Sequence, residues 1–256
     1  MDLAQMTYQQ IAIQQLKGNL HLAPSRALLD ASARTNLGKA DLKLLYDSRQ
    51  PTKPRACFDL NFKDILVAQM HQVLPTVATM FPLVKSMDGL IDCRLTAEGE
   101  LNNQMFPELS ATYAVCSLNG INLKLSDSEI FQEIARKFKF KNKQYTEIDR
   151  LSANCVLQNH SIDVIPFPIE LDRCKAIVGG KHSTDLTFDY HITLLKSPIP
   201  IDFGVNLTGK QGDFHYKIGK CQYKELYKDG GAAYNQQVKE RLQKMRDAIT
   251  QHIQLQ

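Results

Sequence analysis

Between residues 88 and 223 the chain repeats one pattern: short runs in which apolar and polar residues alternate, separated by turn formers. Ile91, Cys93, Leu95 and Ala97 make one run; Tyr113 and Val115 make a second; Ile121, Leu123 and Leu125 make a third. Leu151, Ala153, Cys155 and Leu157 follow, then residues 162–171, then Leu186, Phe188, Tyr190, Ile192 and Leu194, and then Ile201, Phe203, Val205 and Leu207. Successive side chains of a strand point to opposite faces, so a period of two is what a half-buried sheet requires. Residues 11–22, 28–33, 40–46 and 57–62 read as four more strands, punctuated by Gly18, Pro24, Gly38, Pro51 and Pro54. About eleven strands are expected in all, forming a large, curved antiparallel sheet with one apolar and one wet face.

Three stretches change period. From Asp64 to Met87, Ile65, Ala68, Val77, Met80, Phe81 and Val84 fit a helical stripe bent by Pro75 and Pro82. A second helix is expected from Ser126, which forms a capping box with Glu129 ahead of Ile130, Phe131, Ile134, Ala135 and Phe138. A third covers residues 232–253, with Tyr234, Val238, Leu242, Met245, Ile249 and Ile253 on one side. The predicted class is therefore mainly β with helices (α+β): a sheet domain over residues 1–229, then a C-terminal amphipathic helix over 230–256 behind a Gly230-Gly231 hinge.

Coverage makes the apolar stripe interesting. A helix about 10 Å wide covers roughly two strands, so three helices leave several strands open. The candidate groove face comprises Leu151, Ala153, Leu157, Leu186, Phe188, Tyr190, Ile192, Ile201, Phe203 and Val205. Such a face gains roughly 0.8 kcal/mol for each lipid methylene it shelters from water. The last helix is expected to dock on this apolar face and cover part of the groove.

Other chemistry finds little support in the sequence. No GxSxG, HExxH, Walker A or GxGxxG motif occurs, so no catalytic, cofactor-binding or metal-binding residue is assigned. Gly209 and Gly212 suit a hairpin turn. His182, Asp185, Asp189 and His191 are the best metal-like group, but Asp185, Thr187, Asp189, His191 and Thr193 share a parity that reads as one solvated polar face. The six cysteines show no CxxC spacing, and Cys93 and Cys155 sit where a thiol acts as a small hydrophobe. Disulfides stay open. Net charge is +4, and the basic cluster at Arg136, Lys137, Lys139, Lys141 and Lys143 reads as a solvated helix end, so no nucleic-acid partner is expected. Residues 1–10 lack a secretory leader, and no run approaches the ~20 apolar residues of a membrane span. The opening into alternation at Ile11 and Ile13 suggests a fragment entered in mid-sheet.

Over residues 95–223 the chain resembles the carboxy-terminal region of the AsmA family. Three segments carry the resemblance in order: LTAEGELNNQMFPELSATYAVCSLNGINLKLSD (95–127), IDRLSANCVLQNHSIDVIPFPIEL (148–171) and AIVGGKHSTDLTFDYHITLLKSPIP (176–200). Where the family places Asp-Gly in a turn, this chain has Asn159-His160. The resemblance implies a non-enzymatic, periplasmic, membrane-associated cell-envelope protein of outer-membrane biogenesis. It implies kinship with TamB and the bridge-like lipid-transfer proteins, and in the full-length form an inner-membrane anchor. Phospholipid or another acyl-chain ligand and envelope proteins are the partners it implies; it supplies no catalytic residue. The alternative is a structural or scaffolding module for outer-membrane proteins, with a closed core and no lipid. An enzyme would rest on the histidine–aspartate group alone.

Overall fold

The computed structural model describes residues 2–8, 11–69, 86–126, 145–171, 174–196, 203–210 and 213–253. Thirteen strands form one antiparallel sheet in sequence order, so every strand pairs with its chain neighbours. They are β1 (Asp2–Tyr8), β2 (Ile11–Ala23), β3 (Arg26–Thr35), β4 (Lys39–Asp47), β5 (Arg55–Leu66), β6 (Met87–Leu101) and β7 (Pro107–Ser126). Then follow β8 (Tyr145–Gln158), β9 (Ser161–Leu171), β10 (Cys174–Ser183), β11 (Phe188–Lys196), β12 (Gly204–Lys210) and β13 (Asp213–Gly219). A kinked 3-10 segment, Glu225–Gly231, leads into helix α1 (Ala232–Thr250). The large, curved antiparallel sheet with C-terminal helical structure is the α+β class expected.

Local chemistry explains the meander. Between β8 and β9, Asn159 and His160 both take positive φ (49° and 61°), the two-residue turn whose twist matches its strands. Between β6 and β7, Asn102 organises the loop: its Oδ1 accepts from the Gln104 and Phe106 amides at 2.9 and 3.0 Å. The hairpin expected around Gly209 and Gly212 joins β12 to β13, with Lys210 opposite Asp213. Curvature has identifiable sources too. Register shifts interrupt β2 between Gln14 and Lys17, β5 between Phe62 and Ile65, and β6 between Asp88 and Leu90. Gln15 and Asp64 take φ of 52° and 58° at the first two, and such bulges bend a strand and increase its twist.

Several expectations change. Residues 113–115 and 121–125 belong to one strand, β7, and the Asn119-Gly120 pair between them is no turn. Asn122 sits at φ 53°, which shifts the alternation and makes one strand read as two. Leu123 then packs over Gly120, where an added Cβ would lie 2.6 Å from Leu123 Cδ1. β1 occupies residues 2–8, outside any predicted strand. Asp64, Ile65 and Leu66 remain in β5, and a short helical turn begins only at Val67. Residues 70–85 of the first expected helix, and 127–138 of the second, lie outside the described residues.

Leu186 is not in a strand. It occupies the β10–β11 turn at φ 71°, where its amide donates to the Ser183 carbonyl at 3.0 Å. Gly230 and Gly231 are a left-handed corner at φ 78° and 73°, and a Cβ on Gly231 would lie 2.4 Å from the Tyr227 ring. Gly231 is thus packed against that ring, while Gly230 has open space around it.

Candidate apolar binding face

Register decides which side chains share a face, because directly paired residues of neighbouring strands point the same way. Starting at β2, one transverse row runs Leu20, Leu29, Leu44, Phe58, Ala97, Ala114 and Leu157, and continues through Ile162, His182, Phe188, Gly209 and Phe214 on β13. The neighbouring row runs Gly18, Ala31, Leu42, Leu60, Leu95, Cys116 and Cys155, then Val164, Gly180, Tyr190, Leu207 and Tyr216. Twelve strands thus contribute to two parallel rows that hold one ionisable imidazole, His182, and two tyrosines. His182 is buried and stacks on Phe188 at a 6.5 Å centroid distance, and burial lowers its pKa ahead of the opposing pull of Asp185.

The opposite face has the reverse chemistry. Its row from β3 runs Asp30, Lys43, Asp59, Thr96, Val115, Val156, Asp163, Lys181, Asp189 and Thr208. Helix α1 lies on this side, packing Leu242 and Ile249 against Leu45, Cys57, Val115 and Val156. The docking is fixed by Cys57 Sγ, 3.2 Å from the Ile249 carbonyl, and by Arg246 Nη2, which donates to Ser117 Oγ at 2.6 Å. α1 therefore does not cover the apolar face as expected. Its stripe packs instead on a patch where the polar face turns apolar, among Leu45, Cys57, Val115 and Val156.

Of the expected groove residues, Leu151, Ala153, Leu157, Phe188, Tyr190, Ile192, Phe203 and Val205 belong to this apolar face. Leu186 is the exception, in its turn, and Ile201 lies outside the described residues. Most of these side chains are half-buried, and Val205 is buried. Missed in the sequence was the equal contribution of β3 to β6, through Leu29, Leu42, Leu44, Phe58, Leu60, Phe62 and Leu95. The same alternation marks them, and only the register shows that it is in phase with the later strands.

Two thiol groups sharpen the picture. Cys93, Cys116 and Cys155 sit on adjacent strands of the apolar face as free cysteines, with Cys93 Sγ 3.9 Å from Cys116 Sγ. The contact with Cys116, then burial, raises the Cys93 pKa; the contact with Cys155, aided by burial, raises that of Cys116. Both thiols stay protonated and apolar at neutral pH. On the other face, burial pushes Cys57 up to about 12.

The histidine–aspartate group dissolves in the fold. His182 faces the apolar side and His191 the helix side. Asp185 lies in the turn, accepting from Thr187 Oγ1 at 2.6 Å. His191 and Thr193 are not solvated, contrary to expectation: they are buried beneath the chain after β13, where the Gln222 and Tyr223 amides donate to Thr193 Oγ1 at 3.2 and 3.1 Å. His191 Nδ1 lies 2.6 Å from Asn206 Oδ1. This network closes the end of the polar face. No helix of the described residues is long and apolar enough to cross a membrane. Comparison with protein-family models, curated proteins and solved structures finds no match.

Proposed function

We propose that this protein is a non-enzymatic cell-envelope protein that shelters or guides lipid acyl chains along its apolar sheet face. The observation that carries the reading is the pair of continuous apolar rows from β2 to β13, with α1 on the opposite side. A globular core would place a helix or second sheet on such a face; α1, whose stripe matches, sits elsewhere, and the buried part of this face is the cluster of Leu37, Ile65, Val67, Ile91, Leu123 and Ile148 at one end of β5 to β8. Sheltering ten methylenes on these rows gains about 8 kcal/mol before the cost of ordering the chain. The resemblance of residues 95–223 to the AsmA family supports a periplasmic setting in outer-membrane biogenesis.

Native mass spectrometry of protein purified without detergent should show phospholipid or fatty acid bound. A fluorescent fatty acid should bind saturably, and Tyr190→Asp or Leu60→Asp should weaken it at least tenfold with the sheet's circular dichroism unchanged. Lipid-free protein that also ignores the fluorescent probe would overturn the proposal. A second reading, an interaction module, draws on the edge strand β13, where Tyr216 and Ile218 are 45% and 66% exposed. Partners captured by the wild type and lost on Lys217→Pro, with no lipid bound, would favour it.

A further inference from the structure

On the side of the sheet away from the apolar rows, α1 and the polar face enclose a cavity of about 660 Å³. Ser117, Asn119, Ser152, Asn154, Lys239 and Arg246 are part of its polar lining, to which Arg94 and Asp92 also belong. Arg246 is 7% exposed, and its Nε, wholly buried, has no acceptor. Among the described residues no carboxylate pairs with it. Asp59, whose charge acts on Arg246, is engaged by Arg94 Nε and Nη2 at 3.2 and 3.0 Å and by Thr96 Oγ1 at 2.7 Å. A guanidinium keeps its charge when buried, so this site holds a cation that no carboxylate of the described residues pairs directly, the charge of Asp59 acting on it only at longer range.

The neighbouring amides are set the same way. Ser117 Oγ donates to Asn154 Oδ1, and Ser152 Oγ donates to Asn119 Oδ1 at 3.0 Å. With both carbonyl oxygens taken by hydroxyls, each amide NH2 remains to donate. Lys239, two turns before Arg246 on α1, has an exposed ammonium at the rim. Asp92 is the one carboxylate on the lining, and its Oδ1 already accepts from the Asp64 amide at 3.0 Å.

We propose that this cavity is an oxyanion site, built to take a phosphate group between Arg246, Lys239 and the amides of Asn119 and Asn154. Planar guanidinium donors suit phosphate, and charge-assisted bonds in a partly desolvated cleft are the strong ones. Burial, and next the charge of Arg94, lowers the Arg246 pKa, which is the strain an anion would relieve.

The test is calorimetric titration of the full chain with inorganic phosphate, against chloride at matched ionic strength, and with dihexanoyl phosphatidate below its micelle concentration. Saturable phosphate binding is expected, weakened at least tenfold by Arg246→Met and by the Asn119→Asp, Asn154→Asp pair, which keeps Arg246 in place should the first variant fail to fold. Phosphatidate binding tenfold tighter than phosphate, with the same loss in the variants, assigns the oxyanion to a lipid headgroup. Equal affinity assigns it to a free phosphate. No saturable binding of either probe at millimolar concentration, or full affinity in the folded variants, would overturn the proposal.

Discussion

Asp59 shows how one residue reports on the polar face. Burial raises its pKa, but the hydrogen bonds from Arg94 and Thr96 outweigh that and leave it lowered overall. Its contribution to stability is therefore complete above the unfolded value of about 3.9 and is lost as pH falls through the lower folded value. Asp59→Asn should cost about 1.5–3 kcal/mol at pH 7, since it weakens a charged hydrogen-bond pair and strands Arg94. Denaturant melts from pH 7 down to pH 2 should then show a shallower loss of stability for the variant than for the wild type. The thiols of the apolar face make a second residue-scale test. With Cys93 and Cys116 held protonated, alkylation at pH 8 should run at least tenfold slower than for a free cysteine. Bound fatty acid should slow it further, as mass spectrometry of a time course would show.

Two elements carry most of the unusual geometry. β7 is twenty residues long and pairs with β6 and, from Ala114 onward, with β8, yet it changes phase at Asn122. Asparagine tolerates the left-handed region, and a β-branched residue does not. Asn122→Val should destabilise by about 1–3 kcal/mol, whereas Asn122→Gly should be close to neutral, as thermal melts can check. Gly120 is bound to the same device, because it leaves the space that Leu123 fills. Helix α1 is the other case. At nineteen residues it is about 28 Å long and would be marginal alone, so its stability comes from the sheet. Leu242, 2% exposed, is the centre of that contact. Leu242→Ala should cost about 2–5 kcal/mol in denaturant unfolding and leave fatty-acid affinity unchanged, because the helix lies on the face without the apolar rows.

At the scale of the whole molecule, thirteen strands at about 4.8 Å each make a sheet nearly 60 Å across. A single helix cannot cover either face of such a sheet. The apolar rows are long enough that acyl chains have many equivalent positions, from Leu42 on β4 to Leu207 on β12, some 38 Å apart along the sheet. Charges at the two ends should act independently: Leu42→Asp and Leu207→Asp should each lower the number of fatty-acid molecules bound, and the double variant should lower it by the sum. A stoichiometry that falls to zero with either single change would show one localised pocket instead.

Period-two alternation, read from residues alone, placed strands at 11–22, 28–33, 40–46, 57–62 and 151–157 within a few residues of β2, β3, β4, β5 and β8. Within each strand it also grouped Leu151, Ala153 and Leu157 on one side, and Phe188, Tyr190 and Ile192 on one side, because parity within a strand is a local property of the backbone. The stripe of α1 was legible for the same reason, at period 3.6. What alternation could not carry was the phase between strands. That depends on turn geometry and on bulges such as Gln15, Asp64 and Asn122, and it joined β3 to β6 into the same two rows. Nor could a stripe name its partner. α1 went to Leu45, Cys57, Val115 and Val156, residues from four strands that form a patch only once register has aligned them. Arg246 reads in sequence as one more charge on the outer side of a helix. Only docking buried it over Ser117, and with it the cavity that asks for an anion.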